Sequence, residues 1–309
     1  MADTGAGEFE PIRRYFWGLG GGDGALLLGI GDDAALLQVP PGEVLVTSVD
    51  TTVAGVHYPE ETFPEVVGYR ALAVAASDLA AMGATPLACT LALTLPAAEA
   101  LWLQAFSEGV AQAVRRFGLP LAGGDTTRGP ATVVSVSVFG ACPPGAALTR
   151  AGASSGDAVY VSGTLGDSAA ALAFLEGAWQ PPPAQAEALL ERFHRPEPRL
   201  ALGKSLRGRA SACIDVSDGL IADLGHLCAA SGVGMALEGA ALPLSPALRA
   251  AGERARAWVL GGGDDYELAF TLPPTREAPR GCTRIGTVTE VPGLRIDGEA
   301  VAQAGYSHF

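Results

Sequence analysis

Aspartates are where this sequence could do chemistry, and their positions matter more than their number. Gly31-Asp32-Asp33 follows a glycine-rich turn, and Asp50-Thr51-Thr52 closes the β-branched run Val44 to Val49. Gly123-Gly124-Asp125-Thr126-Thr127 follows the short apolar run Leu119 to Ala122, and Asp215-Val216-Ser217-Asp218-Gly219 joins a strand to a helix. Gly261 to Gly263 lead into Asp264-Asp265-Tyr266-Glu267. Each acid of interest is expected at a strand end or turn, beside glycine or a small hydroxyl residue. This is the chemistry of phosphate and divalent metal. Mg²⁺ takes about six oxygen ligands, one or two of them carboxylates and the rest water and phosphate oxygens. Adjoining glycines let phosphates approach backbone N–H groups. One Gly-Asp-Asp turn proves little, because both residues are the commonest turn formers. Five such turns after apolar runs make a joint case.

Asp78 stands apart, in the Ala-rich stretch Ala71 to Ala81, where an ionised side chain is costly unless paired or liganded. A capping or solvent-facing place is the plainer alternative. Asp215 and Asp218 lie three apart across a strand-to-helix junction, where Asp218 or Ser217 is expected to cap the helix. His57 follows Gly55-Val56 on a loop; loop histidines are mostly solvated, yet this one can also serve a site. Arg150 can reach phosphate bidentately, although most arginines are surface residues. Gly203-Lys204-Ser205 imitates a phosphate-binding loop, but Pro198 occupies the place of the required first glycine. Its surroundings, Arg199 to Leu206, read as a helix.

Alternating strands and helices must position these residues. A helix over about Glu8 to Leu19 precedes strands near Ala35 to Val39 and at Val44 to Val49. Pro64 to Met82 is a long helix with proline in its first turn and Gly83 at its end. Strand Pro86 to Leu95, helix Ala97 to Phe117 and the Val/Ser-alternating strand Thr132 to Phe139 follow. After Cys142-Pro143-Pro144-Gly145, the candidate linker, the pattern restarts. Strand Ala158 to Ser162 leads to helices near Asp167 to Glu176, Ala184 to Phe193 and Arg199 to Leu206. Strand Ala212 to Val216, helix Ser217 to Ala230, strand Tyr266 to Leu272 and a β-rich tail complete the chain. The expectation is two α/β domains, 1–145 and 146–309, with mixed sheets, meeting at a cleft.

Composition narrows the functional classes. At 49% hydrophobic and 17% charged residues, the 309-residue chain can bury real cores and is not disordered. No run approaches the roughly 18 apolar residues of a membrane span, and the acidic start Met1 to Glu10 does not read as a signal peptide. The net charge of −13, with Lys204 as the only lysine, speaks against nucleic-acid binding. It also means that phosphate substrates would need cations to offset repulsion. Five scattered cysteines without a CxxC suggest neither a zinc site nor a disulfide framework, which fits a cytoplasmic protein.

Taken in order, the motifs resemble a known family. Gly29-Ile-Gly-Asp-Asp-Ala34, Asp50-Thr-Thr-Val-Ala-Gly-Val-His57, Ser77-Asp-Leu-Ala-Ala-Met-Gly83 and Gly123-Gly-Asp-Thr-Thr-Arg128 look like the first part of the thiamine-monophosphate kinase signature. Ala147-Leu-Thr-Arg-Ala-Gly152, Ile214-Asp-Val-Ser-Asp-Gly-Leu220, Gly262-Gly-Asp-Asp-Tyr-Glu-Leu268 and the closing Gly305-Tyr-Ser-His-Phe309 look like the rest. The resemblance covers essentially the whole chain. It implies the two-domain aminoimidazole ribonucleotide synthetase-like fold, a homodimer formed through the N-terminal sheet, and direct phosphoryl transfer from ATP to thiamine monophosphate. By position it implies that Asp33, Asp50, Asp78, Asp125, Asp215 and Asp218 hold several Mg²⁺ ions. Ser48 would join through its hydroxyl and Val49 through its main-chain oxygen. Gly124, Asp125, Arg150 and Ser217 would contact ATP, and His57 and Asp264 the thiamine phosphate. No aspartate is expected to act as a general base.

Two positions depart from the family pattern. Asp264 stands where the family often has glutamate, and Gln303 where an aromatic can stack on the thiamine ring, with Tyr306 as a nearby substitute. Selenophosphate synthetase is disfavoured because the first cysteine is Cys89, and the hydrogenase maturation factor because the chain ends without a cysteine tail. A metal-dependent phosphatase could use the same acids. A Ca²⁺-binding module lacks its twelve-residue loop here.

Overall fold

The computed structural model of the protein describes residues 9–21, 24–301 and 305. The chain forms two compact units, residues 1–79 with 85–144 and residues 80–84 with 145–309. Both are α/β with mixed sheets.

In the first unit, a short helical segment comes first: α1 (Phe9–Pro11), a π-helical turn Ile12–Phe16 and a 3₁₀ turn Trp17–Leu19. The small antiparallel pair β1 (Leu26–Leu28) and β2 (Leu36–Leu37) brackets the Gly31-Asp32-Asp33 turn. The main sheet has the order β3 (Val44–Val53), β6 (Val133–Cys142), β4 (Thr85–Leu95), β5 (Leu121–Arg128). β6 is antiparallel to both neighbours, while β4 and β5 are parallel. Parallel pairing needs a crossover, and α3 (Ala100–Phe117) supplies it. Its buried Leu103, Phe106, Val110, Ala113 and Phe117 repeat every three or four residues, which makes one apolar stripe. Gly118, at φ 65°, ends the helix in the left-handed region. In α2 (Pro64–Ala81) every residue from Val66 to Ser77 is buried, so this helix is core on all sides. On β6, Val134, Val136 and Val138 are fully buried, and the serines between them occupy the other face.

The second unit carries seven strands in the order β13 (Glu299–Val301), β12 (Gly293–Ile296), β9 (Gly234–Leu237), β11 (Cys282–Thr289), β7 (Ala158–Ser162), β10 (Leu268–Leu272), β8 (Ala212–Asp215). Among the described residues of this unit, only β12 and β9 pair in parallel. Every residue of β10 is buried, which suits its continuous apolar run. The helices are α4 (Asp167–Leu175), α5 (Pro183–His194), α6 (Leu200–Leu206), α7 (Leu220–Ser231), α8 (Pro246–Arg249) and α9 (Arg254–Gly261). Gly203-Lys204-Ser205 lies inside α6, and Gly203 is packed against the Ala80 carbonyl where a Cβ would come within 1.9 Å.

Four sequence expectations need correction. Asp50 does not close its strand, because β3 continues through Thr51 and Thr52 to Val53 in unbroken register with β6. The Gly123-Gly124-Asp125 segment is not a turn but the middle of β5, since pairing with β4 overrides its turn-like composition. The helix expected from Ser217 starts at Leu220, and the strand expected from Tyr266 starts at Leu268. In both cases an irregular loop precedes the regular element.

Candidate active site

A cavity of about 620 Å³ in the first unit gathers several of the expected residues. Asp32, Asp33, Gly124 and Asp125 line it, with Arg13, Phe16 and Trp17 from the N-terminal segment. The turn is built so that Asp33 faces outward: the Asp32 carboxylate accepts the Asp33 N–H at 2.9 Å. Gly31, at φ 125°, sits under the Trp17 ring, where a Cβ would lie 2.5 Å from the indole. Trp17 thereby pins the acidic turn while 51% of its surface stays exposed. On β5 the Asp125 carboxylate likewise accepts the next N–H, from Thr126, at 2.8 Å. Gly124 is required by its partner strand, because a Cβ there would stand 1.9 Å from the Leu91 carbonyl oxygen. The room expected for phosphate is at Gly123, which has no atom within 4 Å of a hypothetical Cβ.

On β3 the side chains alternate, with Ser48, Asp50 and Thr52 on one face and Thr47, Val49 and Thr51 exposed on the other. Ser48 Oγ donates to Asp78 Oδ2, which ties the strand to α2 and gives the half-buried Asp78 carboxylate its partner. Asp78 is therefore neither a cap nor simply solvent-facing. Val49 is exposed as a side chain. His57 follows the strand, and its Nδ1 accepts the Val53 N–H at 3.1 Å. That bond leaves the neutral ring with its proton on Nε2. The neighbouring Tyr58 is buried, its hydroxyl makes no hydrogen bond, and burial pushes it up to about 12 against the lowering charge of Arg70.

In the second unit two loops lie backbone to backbone. Asp264 N–H donates to the Ser217 carbonyl at 2.7 Å, Tyr266 N–H to Val216 at 2.9 Å, and Val216 N–H to Glu267 at 2.8 Å. Glycine makes this possible, since a Cβ at Gly263 would meet Ser217 O at 2.4 Å. Asp215, Ser217, Asp218 and Asp264 are thus brought together. Neither Ser217 nor Asp218 caps α7, contrary to expectation. Instead Asp223, from the first turns of α7, folds back and accepts the N–H groups of Ser217, Asp218 and Gly219 at 3.0, 3.1 and 3.1 Å. Burial, then the charges of Asp215 and Asp218, push its carboxyl up to about 8, against the backbone N–H groups that favour ionisation. Arg150 is not brought to Ser217 within this unit. Its carbonyl accepts from Ser231, at the other end of α7 and about 18 Å along the helix. Gly305 lies against Asp218 and Ala222; Gln303 and Tyr306 lie outside the described residues.

Among the described residues no three His, Cys, Asp or Glu side chains gather closely enough to hold a metal ion by themselves.

Two family models match the chain: "AIR synthase related protein, N-terminal domain" over residues 31–142 and "AIR synthase related protein, C-terminal domain" over residues 154–299. The thiamine-monophosphate kinase of Escherichia coli K12 is 45% identical over 98% of both chains. The chain belongs to the thiamine-monophosphate kinase family. Its structure resembles that of thiamine-monophosphate kinase from Stenotrophomonas maltophilia K279a, with a TM-score of 0.84, 46% identity and coverage of 90% of this chain and 92% of that one. It also resembles AaThiL complexed with AMPPCP and TMP, with a TM-score of 0.83, 35% identity and coverage of 91% and 92%. The first matched range contains Asp33, Ser48, Val49, Asp50, His57, Asp78, Gly124 and Asp125, and the second Asp215, Ser217, Asp218 and Asp264. Arg150 falls between them.

Within this member of the thiamine-monophosphate kinase family, sequence reasoning missed Trp17, Asp223 and Glu267. Asp223 carried a usable signal, because an acid among Leu220, Ile221 and Leu224 poses the same question as Asp78.

Proposed function

We propose that the protein transfers the γ-phosphoryl group of ATP to thiamine monophosphate, giving ADP and thiamine diphosphate. The observation that carries this reading is the 45% identity over 98% of both chains to a thiamine-monophosphate kinase. The site chemistry supports it. The attacking group is a phosphate oxygen already anionic near neutral pH, so the barrier is charge repulsion rather than deprotonation. A protein of net charge −13 needs cations to overcome it.

The donors suit Mg²⁺, being hard oxygens throughout: Asp33, Ser48, Asp50, Asp78, Asp125 and the Val49 carbonyl in the first unit, Asp215 and Asp218 in the second. When bound, Mg²⁺ offsets phosphate charge and aligns the reacting oxygens. Gly124 and Asp125, beside the open space at Gly123, are assigned to the nucleotide in the first unit and Ser217 in the second; Arg150, whose backbone lies at the far end of α7 from Ser217, would contact a different part of it. His57 in the first unit and Asp264 in the second are the residues assigned to the thiamine phosphate. None of these residues needs to take a proton.

The protein acts as a homodimer through the first unit's sheet. β3 is a ten-residue edge strand whose outer positions include Leu45 and Val49, both exposed apolar residues, and such edges are commonly covered. It acts in the cytoplasm; among the described residues no helix is long and apolar enough to cross a membrane.

The test is ADP release from Mg–ATP with thiamine monophosphate, with free thiamine and with no acceptor, products being identified by mass. Thiamine diphosphate is expected from the monophosphate alone. ADP formation independent of any thiamine compound would overturn the reading.

A further inference from the structure

The loop that carries Asp264 is strained on its outward side and anchored on its inward side. Gly263, Asp264 and Tyr266 have φ of 66°, 62° and 53°, a region that side-chain-bearing residues enter only when their surroundings hold them there. Between and after them, Asp265 and Glu267 turn inward, 3% and 0% exposed. Both Asp265 carboxylate oxygens lie 2.9 Å from the Gly166 N–H at the start of α4. Glu267 accepts from Ser162 Oγ at the end of β7, from Arg192 on α5 at 2.8 Å, and from both Nε and Nη2 of Arg199 just before α6. Gly163 leaves the space it fills, since a Cβ there would stand 2.1 Å from Glu267 Oε1. Three separate elements thus grip one carboxylate directly behind the strained residues.

We propose that Glu267, clamped by Arg192, Arg199 and Ser162, is a positioning residue for the phosphate acceptor, holding Asp264 and Tyr266 in their left-handed conformation. Glu267 touches no substrate; it acts through Asp264, and the inference rests on the reading of Asp264 given above. A fork of two arginines on one buried carboxylate fixes direction as well as distance, which a single lysine would not do. The adjoining Val216–Gly219 loop has its own anchor in Asp223, so loss of Glu267 acts on the acceptor side more than on the nucleotide side.

The experiment compares KM values for thiamine monophosphate and for ATP in wild type, E267Q, R199K and D264A, at a temperature well below each protein's melting point. R199K keeps the charge and loses the fork, so it tests the clamp even if E267Q folds poorly. Both clamp variants are expected to raise the KM for thiamine monophosphate by about tenfold or more, as small misplacements of positioning groups do. The KM for ATP stays within about twofold. KM values that move together, or a lower melting temperature with neither KM changed, would overturn the clamp and leave Glu267 merely structural. If D264A leaves the acceptor KM unchanged, the reading of Asp264 falls and the clamp's purpose with it. If D264A moves it and both clamp variants do not, only the clamp falls.

Discussion

Ser48, Asp50, Asp78 and Asp125 of the first unit stand on regular elements, with Asp33 on a turn, whereas in the second unit Ser217, Asp218 and Asp264 stand on loops beyond the strand-end Asp215. Ser48 and Asp50 owe their common face to the two-residue period of β3, and Asp125 owes its place to the β4–β5 ladder. Asp32 and Asp125 each accept the very next N–H, so their support is local. In the second unit no ladder holds Ser217, Asp218 or Asp264. A second set of acids does so from behind, Asp223 for one loop and Asp265 with Glu267 for the other. Ladder-held groups can be changed singly at little structural cost. Loop-held groups depend on buried polar residues, whose loss is felt through the whole unit.

The largest effect that would sharpen this contrast is expected for Glu267→Ala. Removing the buried carboxylate takes the close partner from two part-buried guanidinium groups, leaving Arg192 its 4.0 Å pairing with Asp167, and destabilises by about 3 kcal/mol. Urea unfolding followed by circular dichroism measures it, and a change under 1 kcal/mol would break the comparison. Asp223→Ala comes next, at about 1–3 kcal/mol, because it strands buried N–H donors. Asp223→Asn keeps an acceptor of the same shape and should recover most of that loss.

In the first unit Ser48→Ala removes one charge-assisted hydrogen bond to Asp78 and should cost about 1.5 kcal/mol. The smallest stability effects are expected for Asp33→Asn and Asp125→Asn, within about 0.5 kcal/mol of wild type since both side chains are exposed. Their turnover should nevertheless fall by about two orders of magnitude or more, the scale of losing several kcal/mol of charge stabilisation. Equal stability losses in the two units would remove the distinction.

The same contrast explains what could be read before the structure. The Val/Ser alternation of β6 and the apolar period of α3 are local patterns, and both elements stand where those patterns put them. Asp33, Asp125, Asp218 and Asp264 announce themselves by nearby glycines, and Asp78 by its apolar surroundings. β5 was illegible because Gly-Gly-Asp-Thr-Thr has turn composition, and only the partner strand makes it extended. The cap of α7 was misjudged because a carboxylate inside the helix, not at its start, satisfies the loop. Glu267 looks in sequence like the polar residue before an apolar strand. Its arginine partners lie 75 and 68 positions earlier, a distance no local pattern spans.

The central claim is that acids of both units serve metal and nucleotide rather than proton transfer. Counting Mn²⁺ ions bound in the presence of a non-hydrolysable ATP analogue, by electron paramagnetic resonance, tests it most directly. Wild type is compared with the paired variants Asp33→Asn/Asp125→Asn and Asp215→Asn/Asp218→Asn, each checked for a native circular dichroism spectrum. Loss of bound Mn²⁺ in both pairs is the expected result. An unchanged count in pairs that have lost turnover would contradict the claim and return these carboxylates to acid–base chemistry.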